Sequence, residues 1–177
     1  MDKKVVALTG STRGKNTASE AMVDYLFKQL EDENIKLSKY RAHEIYDMKQ
    51  SLSEFIIEVA EADTLLISSP IYVHSLPYPL TAVMEEIAKK GVGANKEMLA
   101  IVHSAYPKEI QRQAGYEIFK RFGKEVGLKK RLGVIGFAAT ALLEGRPLEE
   151  MDWFAKWIRK SLDQVSISIK NGAEISE

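Results

Sequence analysis

The chain of 177 residues contains no cysteine, and its 25 basic residues balance 25 acidic ones. The length favours a single domain covering residues 1–177, while the neutral balance disfavours nucleic-acid and acidic-membrane partners, which both select a basic surface. The lack of cysteine excludes disulfides, thiolate nucleophiles and Cys-ligated zinc or iron–sulfur centres. Because there is neither a signal-peptide pattern nor an apolar run of membrane-spanning length, we expect a cytoplasmic protein with no membrane partner.

The first half of the chain alternates apolar runs with segments of helical spacing. Residues 5–8 predict a buried strand, and the spacing from residue 18 to about residue 34 predicts a helix. Residues 35–40 predict a strand with one wet face or at an edge. The polar stretch 41–50 favours no element. A helix capped by Ser51 or Ser53 and a strand over residues 64–67 follow.

The second half repeats this alternation. Pro77 and Pro79 introduce a helix that Gly91 and Gly93 end, and residues 98–102 predict a strand. An apolar residue at every fourth position from 110 to 126 predicts a long helix. The run 129–131 is interpreted as a solvated turn or, alternatively, as a contact for a phosphate group, before a strand over 132–138. Pro147 is predicted to start the last helix, with a frayed tail after residue 171. Its predicted inward stripe comprises Phe154, Ile158, Leu162, Val165 and Ile169.

Five continuous apolar strands alternating with five helices predict a three-layer, doubly wound α/β fold with a parallel sheet covered on both faces. In such a fold, ligands bind beyond the carboxyl ends of the strands. This rule selects three loops, over residues 10–17, 68–79 and 103–108, with residues 140–147 as a lesser candidate. Periodicity alone does not give the strand order.

The first loop, Thr9-Gly10-Ser11-Thr12-Arg13-Gly14-Lys15-Asn16-Thr17, has the composition of an anion site. It departs from the P-loop pattern in its glycine spacing and in having Asn16 where the magnesium-binding hydroxyl should stand. It also lacks the G-x-G-x-x-G spacing of dinucleotide-binding loops. A monophosphate cradle of hydroxyl and amide donors fits better. Thr17 can also cap the next helix with Glu20, and the two roles are compatible.

At this point the sequence resembles a known family. The first loop is similar to the FMN-phosphate loop of the flavodoxin-like NAD(P)H-dependent FMN reductases, and residues 69–74, Ser-Pro-Ile-Tyr-Val-His, resemble that family's second flavin loop. The resemblance implies a flavodoxin-like fold with sheet order 2-1-3-4-5 and bound FMN. The related iron–sulfur flavoproteins carry a cysteine cluster after the second strand, which residues 41–50 lack, so cluster-mediated electron transfer is excluded.

The resemblance also implies which residues bind FMN. Phosphate contacts are expected from the first loop, ribityl and ring contacts from the second, and ring contacts from the third, where the match rests on position more than on sequence. These cofactor-binding residues are Ser11, Thr12, Arg13, Asn16 and Thr17; Pro70, Ile71, Tyr72, Val73 and His74; and Ser104, Ala105 and Tyr106.

The remaining aromatic and imidazole groups have open roles. No two histidines have metal-ligand spacing, so we expect no metal site. His43 is expected at the surface. His74 lies in the second ligand loop, where its side chain could contact the flavin or stay clear of it. His103 is either a site residue or a satisfied core group. Tyr72 and Tyr106 could stack on a flavin or pack against prolines. Trp153 and Trp157 suit a subunit interface or a wider buried face.

The expected function is that of an FMN-dependent oxidoreductase. Hydride from NADPH or NADH would reach FMN, and electrons would pass to a small acceptor such as a quinone, a nitro or azo compound, or flavin. Because FMN carries the chemistry, we expect no catalytic side chain. The partners expected are small molecules and further copies of the chain, in a homodimer or homotetramer. A flavodoxin-type electron carrier and a flavin-free binding module stay open.

Overall fold

The computed structural model describes residues 3–31, 34–143, 145–151 and 153–171, and within them five parallel strands form one sheet. The observed order, β2-β1-β3-β4-β5, confirms the order that the resemblance implies. The strands are β1 (Lys3–Thr9), β2 (Ile35–Arg41), β3 (Thr64–Pro70), β4 (Glu97–His103) and β5 (Lys129–Phe137). The predicted doubly wound fold is therefore correct, and the strand over 35–41 lies at an edge as expected.

Helices cover both faces of this sheet. They are α1 (Ala18–Leu30), α2 (Ala42–Tyr46), α3 (Leu52–Glu61), α4 (Tyr78–Lys90), α5 (Ile110–Glu125) and α6 (Lys156–Asn171). The side chains of α1 and α6 share one hydrophobic cluster, and those of α3, α4 and α5 share another on the opposite face. No helix among the described residues combines the length and the apolar character needed to cross a bilayer.

The two clusters explain why the central strands are apolar throughout. Successive strand residues face opposite sides of the sheet, so Val5 and Ala7 join the α1–α6 cluster while Val6 and Leu8 join the other. Both sets are fully buried. A strand covered on both faces must be apolar at every position, as the sequence predicts.

Three helix boundaries, in α3 and α4, follow the predicted start and stop signals. Ser51 caps α3, its hydroxyl accepting a hydrogen bond from the Glu54 amide at 3.2 Å. Helix α4 begins after Pro77 and ends at Gly91, which has a φ of 65°. A glycine adopts this left-handed conformation without a Cβ clash, so the helix can stop there.

The prediction for the last helix is wrong at its start. Residues from Pro147 onward form two short 3₁₀ turns, Leu148–Glu150 and Trp153–Ala155, and the α-helix begins only at Lys156. Arg159 stabilises this arrangement by donating hydrogen bonds to the carbonyls of Leu148 and Met151. The predicted stripe of Ile158, Leu162, Val165 and Ile169 is buried, whereas the side chain of Phe154 and the predicted tail after residue 171 lie outside the described residues.

Two further predictions need correction. The backbone of residues 129–131 belongs to β5 and is not a turn. In α5, Ile110 is 64% exposed, and the buried positions are Arg112, Gly115, Phe119 and Phe122. A four-residue repeat drifts by about 40° per step around a helix of 3.6 residues per turn. Five such residues therefore cannot all face the core.

Candidate functional site

Three loops leave the sheet at the same edge. Thr9, the last residue of β1, pairs with Ser68 of β3, and Pro70 at the end of β3 pairs with His103 at the end of β4. The segments 10–17, 71–77 and 104–109 therefore begin side by side. The sheet thus brings together the three loops that the sequence selected, although β3 runs three residues further than predicted.

The first loop packs closely against the strand and helix beside it. Its start continues the sheet, because the Gly10 amide donates to the Ser68 carbonyl at 2.8 Å. A Cβ on Gly10 would lie 2.7 Å from Leu80 Cδ2 and 2.8 Å from Ser69 Oγ. Only glycine allows this approach. Further on, Asn16 has a φ of 60°, and its carbonyl accepts from the Gly145 amide at 2.8 Å.

Several amide groups of the first loop are available to a ligand. The Arg13 amide donates to Ser11 Oγ at 3.3 Å, and the Thr17 amide donates to Glu20 Oε2 at 3.4 Å. Within the described residues, no protein acceptor receives a hydrogen bond from the amides of Thr12, Gly14, Lys15 or Asn16. Thr12, Arg13 and Asn16 are exposed, whereas Ser11 and Thr17 are buried. This set of open donors suits an anion.

A capping box closes the first loop onto α1. Thr17 Oγ1 accepts from the Glu20 amide at 3.3 Å while the Glu20 carboxylate accepts from the Thr17 amide. Glu20 is 4% exposed, and its Oε1 also accepts from Arg41 Nε at 2.6 Å. Arg41 ends β2 and forms a second ion pair with Glu44 at 3.2 Å. The cap is therefore fixed to the neighbouring strand by a charged pair.

His43 contributes to the same region. Its Nδ1 lies 2.9 Å from the Ser11 carbonyl, and since a carbonyl oxygen only accepts, Nδ1 carries the proton. His43 is half-buried: it keeps some of the exposure expected of a surface residue, while its ring contacts the first loop. His43 belongs to α2, which the sequence did not predict. This short helix supports the backbone of the first loop.

The second loop contains a strained two-residue turn. Tyr72 and Ser75 exchange backbone hydrogen bonds at 2.9 and 3.0 Å around Val73 and His74. Val73 has a φ of 49° and His74 a φ of 60°, which is the type I′ geometry that normally selects Asn-Gly. A β-branched residue is rare in this conformation, and such strain concentrates at ligand sites. Val73 and His74 are exposed, Ile71 and Tyr72 are half-buried, and Pro70 is buried.

The third loop is held by Ser104. Its amide donates to the Phe137 carbonyl at 3.0 Å, and its carbonyl accepts from the Thr140 amide at 3.1 Å. Its hydroxyl accepts from the Tyr106 amide at 3.1 Å, so the side chain shapes the turn. Ala105 and Tyr106 are exposed, Tyr106 to 67%. An aromatic face is thus presented beside the second loop.

His103 is a satisfied core group, one of the two roles left open. Its Nε2 lies 2.7 Å from Ser19 Oγ, and its Nδ1 lies 3.0 Å from Thr140 Oγ1. Burial lowers the pKa of His103 from 6.5 to about 3. The imidazole is therefore neutral at physiological pH and joins β4 to α1 and to the segment after β5.

Two buried polar atoms near this edge lack a partner. Among the described residues, the fully enclosed side-chain nitrogen and oxygen atoms without a hydrogen bond are Ser68 Oγ and Arg112 Nη1. Ser68 lies beside Thr9 in the sheet, under the first loop, and Arg112 lies in the first turn of α5, directly after the third loop. Buried polar groups in native proteins are almost always bonded, so each exception needs an explanation.

The tryptophans are not part of these loops. The Trp157 ring packs edge-to-face on Phe137 with centroids 5.3 Å apart, and Trp153 is 82% exposed. The subunit interface suggested for them stays a prediction.

Sequence reasoning missed three of the residues that shape the site. The capping-box register identified Glu20, but no sequence pattern connected it to Arg41, which is distant along the chain. Arg112 stands within a helix whose apolar spacing pointed to another face. His43 lies in a stretch too polar for an assignment.

Comparisons with known proteins bear on the family and the fold of the chain. A family model described as NADPH-dependent FMN reductase matches residues 3–115. A search of the curated proteins finds no match. An NADH:FMN oxidoreductase in its apo form is 18% identical, with a TM-score of 0.71 over 94% of this chain and 89% of that one.

Two other solved structures share the architecture. Oxidised flavodoxin 1 from Bacillus cereus is 13% identical, with a TM-score of 0.66 over 96% of this chain and 98% of that one. General stress protein 14 from Treponema denticola, in complex with FMN, is 11% identical, with a TM-score of 0.60 over 96% and 97%. At these identities the likeness establishes a common flavodoxin-like fold.

Proposed function

The chain belongs to the NADPH-dependent FMN reductase family, and from that membership we propose that it binds FMN across its three loops and uses it to oxidise NADPH or NADH. The observation that carries the proposal is the set of open amides in the first loop, at Thr12, Gly14, Lys15 and Asn16. They stand immediately before a helix N-terminus, where a phosphate is stabilised by both hydrogen bonds and the helix dipole.

The first loop fits a terminal phosphate in charge and in donor chemistry. Charge-assisted hydrogen bonds contribute about 1.5–3 kcal/mol each, whereas the dipole contributes about 0.3–1 kcal/mol, so the donors dominate. Ser11 and Thr17 can add hydroxyl donors, because the hydroxyl oxygen of each already accepts a protein hydrogen bond and its proton is free to turn outward. Arg13 is exposed at the same loop.

The second and third loops fit the flat remainder of FMN. Tyr72 is half-buried and Tyr106 largely exposed; the loop of Tyr72 leaves the sheet beside the phosphate loop, and the loop of Tyr106 leaves it beside the loop of Tyr72. Aromatic faces add about 0.5–1.5 kcal/mol per stacked pair beyond area burial. The Val73–His74 turn places an exposed histidine at the same edge. We propose that residues 70–74 and 104–106 hold the ribityl chain and ring.

Bound FMN would accept a hydride from the nicotinamide and pass electrons to a second molecule. The protein then needs to bind the cofactor, orient the ring and leave one ring face open. No proton-transferring side chain is required, and His103 is unsuited to such a role because burial lowers its pKa to about 3. We propose a small acceptor such as a quinone, a nitro or azo compound, or flavin.

A flavodoxin-type electron carrier is the second candidate, favoured by the fold shared with flavodoxin 1. Such a carrier binds FMN but receives its electrons from a protein partner. The balance of 25 basic and 25 acidic residues gives no strong net electrostatic field that would attract such a protein partner.

Two assays on the purified protein test the proposal. Titration into FMN should quench the flavin fluorescence with a stoichiometry of one per chain. Steady-state oxidation of NADPH or NADH should then depend on added quinone, with parallel reciprocal plots that indicate ping-pong turnover. FMN binding without any nicotinamide oxidation would support the carrier, and no FMN binding would contradict both.

A further inference from the structure

A groove of about 690 Å³ lies between α5 and β5, the strand at one edge of the sheet. Among the described residues, those proposed to bind FMN do not line this α5–β5 groove. Its volume falls within the range of about 300–1,000 Å³ that is usual for sites of small organic ligands. The groove is therefore large enough to hold a ligand of its own.

The backbone of β5 and the composition of α5 together open the groove. Strand β5 bulges beside β4, because its residues 130–132 fall between two paired positions where β4 has only Met98. Gly133 follows the bulge with a φ of 82°, and a Cβ there would meet nothing within 4 Å. On the helix side, a Cβ on Gly123 would meet only Met98 Cε, at 3.6 Å. Missing side chains on both elements thus leave the space unfilled.

The wall of the groove is largely apolar. Met98 and Phe119 are buried, whereas Tyr116, Leu128 and Val134 are half-buried. All five belong to the hydrophobic cluster beneath α3, α4 and α5 or pack against it. The half-buried side chains still present apolar surface to water, and covering such surface is favourable. This wall suits a ligand with an apolar body.

The charges in the wall are unevenly placed. Lys120 and Lys124 lie in the second half of α5, and Lys129 is the first residue of β5. Lys120 pairs with Glu117 at 3.3 Å, but Lys124 and Lys129 form no ion pair with a carboxylate of the described residues. The acidic residue of the wall, Glu109, precedes α5. A helix rises by about 1.5 Å per residue, so Lys120 lies about 16 Å further along the axis than Glu109.

One end of the groove is therefore basic in a chain whose total charge is balanced. Exposed lysines are normally solvated and by themselves indicate no ligand. Here they border an apolar gap, where an anionic head group would be partly shielded from water. The attraction between opposite charges strengthens as the surroundings become less polar. An alkyl or aryl cation in the same place would be repelled.

We propose that the α5–β5 groove binds a small amphipathic anion, a carboxylate with an aliphatic or aromatic body. The body lies against Tyr116, Phe119 and Val134, and the carboxylate lies between Lys124 and Lys129. Glu109 disfavours the reverse orientation because it would repel the head group. The site is separate from the residues proposed to bind FMN, so both ligands can be bound at once.

Isothermal titration calorimetry of the purified full-length chain tests the proposal, with decanoate as the probe below its micelle concentration. Decanoate should bind with a stoichiometry of one per chain. Decyltrimethylammonium carries the same alkyl chain on a cationic head, and it should bind about tenfold more weakly, since attraction to the lysines is replaced by repulsion. Added salt should weaken the binding of decanoate, because it screens partly exposed charges.

Lysine substitutions test the position of the head group. Lys124→Gln and Lys129→Gln should each weaken decanoate binding about threefold, as expected for one partly exposed ion pair, and the double variant about tenfold. The matched control is Lys89→Gln combined with Lys90→Gln, which removes the same charge from the last turn of α4. Neither of these two residues lines the groove, so the affinity for decanoate should not change.

Gly123→Leu tests the position of the apolar body. The leucine side chain would enter the groove from α5 and should weaken decanoate binding by about tenfold or more. Leucine is a better helix former than glycine, and thermal unfolding checks that the variant is folded. The lysine variants test the proposal independently of this substitution.

The proposal requires decanoate to bind equally well with and without saturating FMN. It is overturned if decanoate fails to bind, if FMN displaces it, if the alkyl cation binds as tightly, or if the double lysine variant binds like the wild type. Sedimentation that shows wild-type dimers dissociated by decanoate would instead identify a second copy of the chain as the occupant. FMN binding by the wild type is measured separately, so none of these results decides the proposed function.

Discussion

Ser19 Oγ lies 2.7 Å from His103 Nε2, which connects the first turn of α1 to the carboxyl end of β4. The other ring nitrogen lies 3.0 Å from Thr140 Oγ1. A neutral imidazole has one donor and one acceptor nitrogen, and two hydroxyls can satisfy either tautomer. One uncharged histidine therefore holds three segments that surround the first and third loops.

The burial of His103 predicts acid sensitivity. Its pKa is lowered to about 3 in the folded protein and is about 6.5 in the unfolded chain. Between these values the unfolded state binds more protons, so stability is complete above about pH 6.5 and falls as the pH drops. Within this window the contribution of His103 should fall by about 1.4 kcal/mol per pH unit.

Urea unfolding at pH 7, 6 and 5 measures this effect. The free-energy difference between wild type and His103→Gln should shrink as the pH falls, because glutamine does not titrate. A difference that stays constant across the three pH values would mean that His103 is not buried in its neutral form.

The close approach at Gly10 predicts that a single added methyl group is harmful. Gly10→Ala places Cβ 2.7 Å from Leu80 Cδ2 and 2.8 Å from Ser69 Oγ, so the free energy of unfolding should fall by about 1–3 kcal/mol. Gly123→Ala, within α5, is the control. The added Cβ would meet only the Cε atom of Met98, at 3.6 Å. Alanine is the better helix former, so this variant should gain about 0.5–1 kcal/mol. Equal effects at the two sites would refute the packing described for the first loop.

Strain in the Val73–His74 turn should be measurable. Both residues have positive φ values, 49° and 60°. Val73→Asn combined with His74→Gly supplies the residues that a type I′ turn prefers and should raise the free energy of unfolding by about 1 kcal/mol. Val73→Thr keeps the β-branch and should give no gain. If the double variant were less stable than wild type by urea denaturation, the turn would not be strained.

Thr17 should act both as a helix cap and as a phosphate donor. Thr17→Val removes the hydroxyl that accepts from the Glu20 amide, which costs about 1 kcal/mol of stability. It should also weaken FMN binding about tenfold, the loss expected for one charge-assisted hydrogen bond. Fluorescence titration measures the affinity.

Two variants isolate the ligand effect at Thr17. Thr17→Ser keeps the hydroxyl and should bind FMN like wild type. Ser51→Ala removes the equivalent cap of α3, where the hydroxyl accepts from Glu54, and should lose stability without losing affinity. FMN affinity that is unaltered in Thr17→Val would place the phosphate away from this hydroxyl.

The sequence was most informative where a residue acts locally. The proline and glycine signals around α4, the Ser51 cap and the capping box of Thr17 and Glu20 each involve neighbours within a few residues. Their geometry follows from backbone chemistry, which the sequence displays directly. The three ligand loops were predictable for a related reason: each follows the carboxyl end of a strand, and a local run of apolar residues predicts each of these strands.

Long-range pairings were not predictable in this way. Arg41 meets Glu20 only because parallel strands β1 and β2 are adjacent, and His103 meets Ser19 only because the fold brings the first turn of α1 to the end of β4. The start of α6 was missed because Pro147 begins a 3₁₀ turn held by Arg159, a partner later in the chain. Such contacts depend on the assembled fold.

Anaerobic reduction of the FMN-loaded protein by a nicotinamide tests the central claim most directly. One equivalent of NADPH or NADH, added without oxygen, should abolish the yellow absorption of oxidised flavin, and admission of a quinone should restore it. Protein that holds FMN but keeps its full flavin absorption in the presence of both nicotinamides would contradict the assignment as a nicotinamide-dependent oxidoreductase.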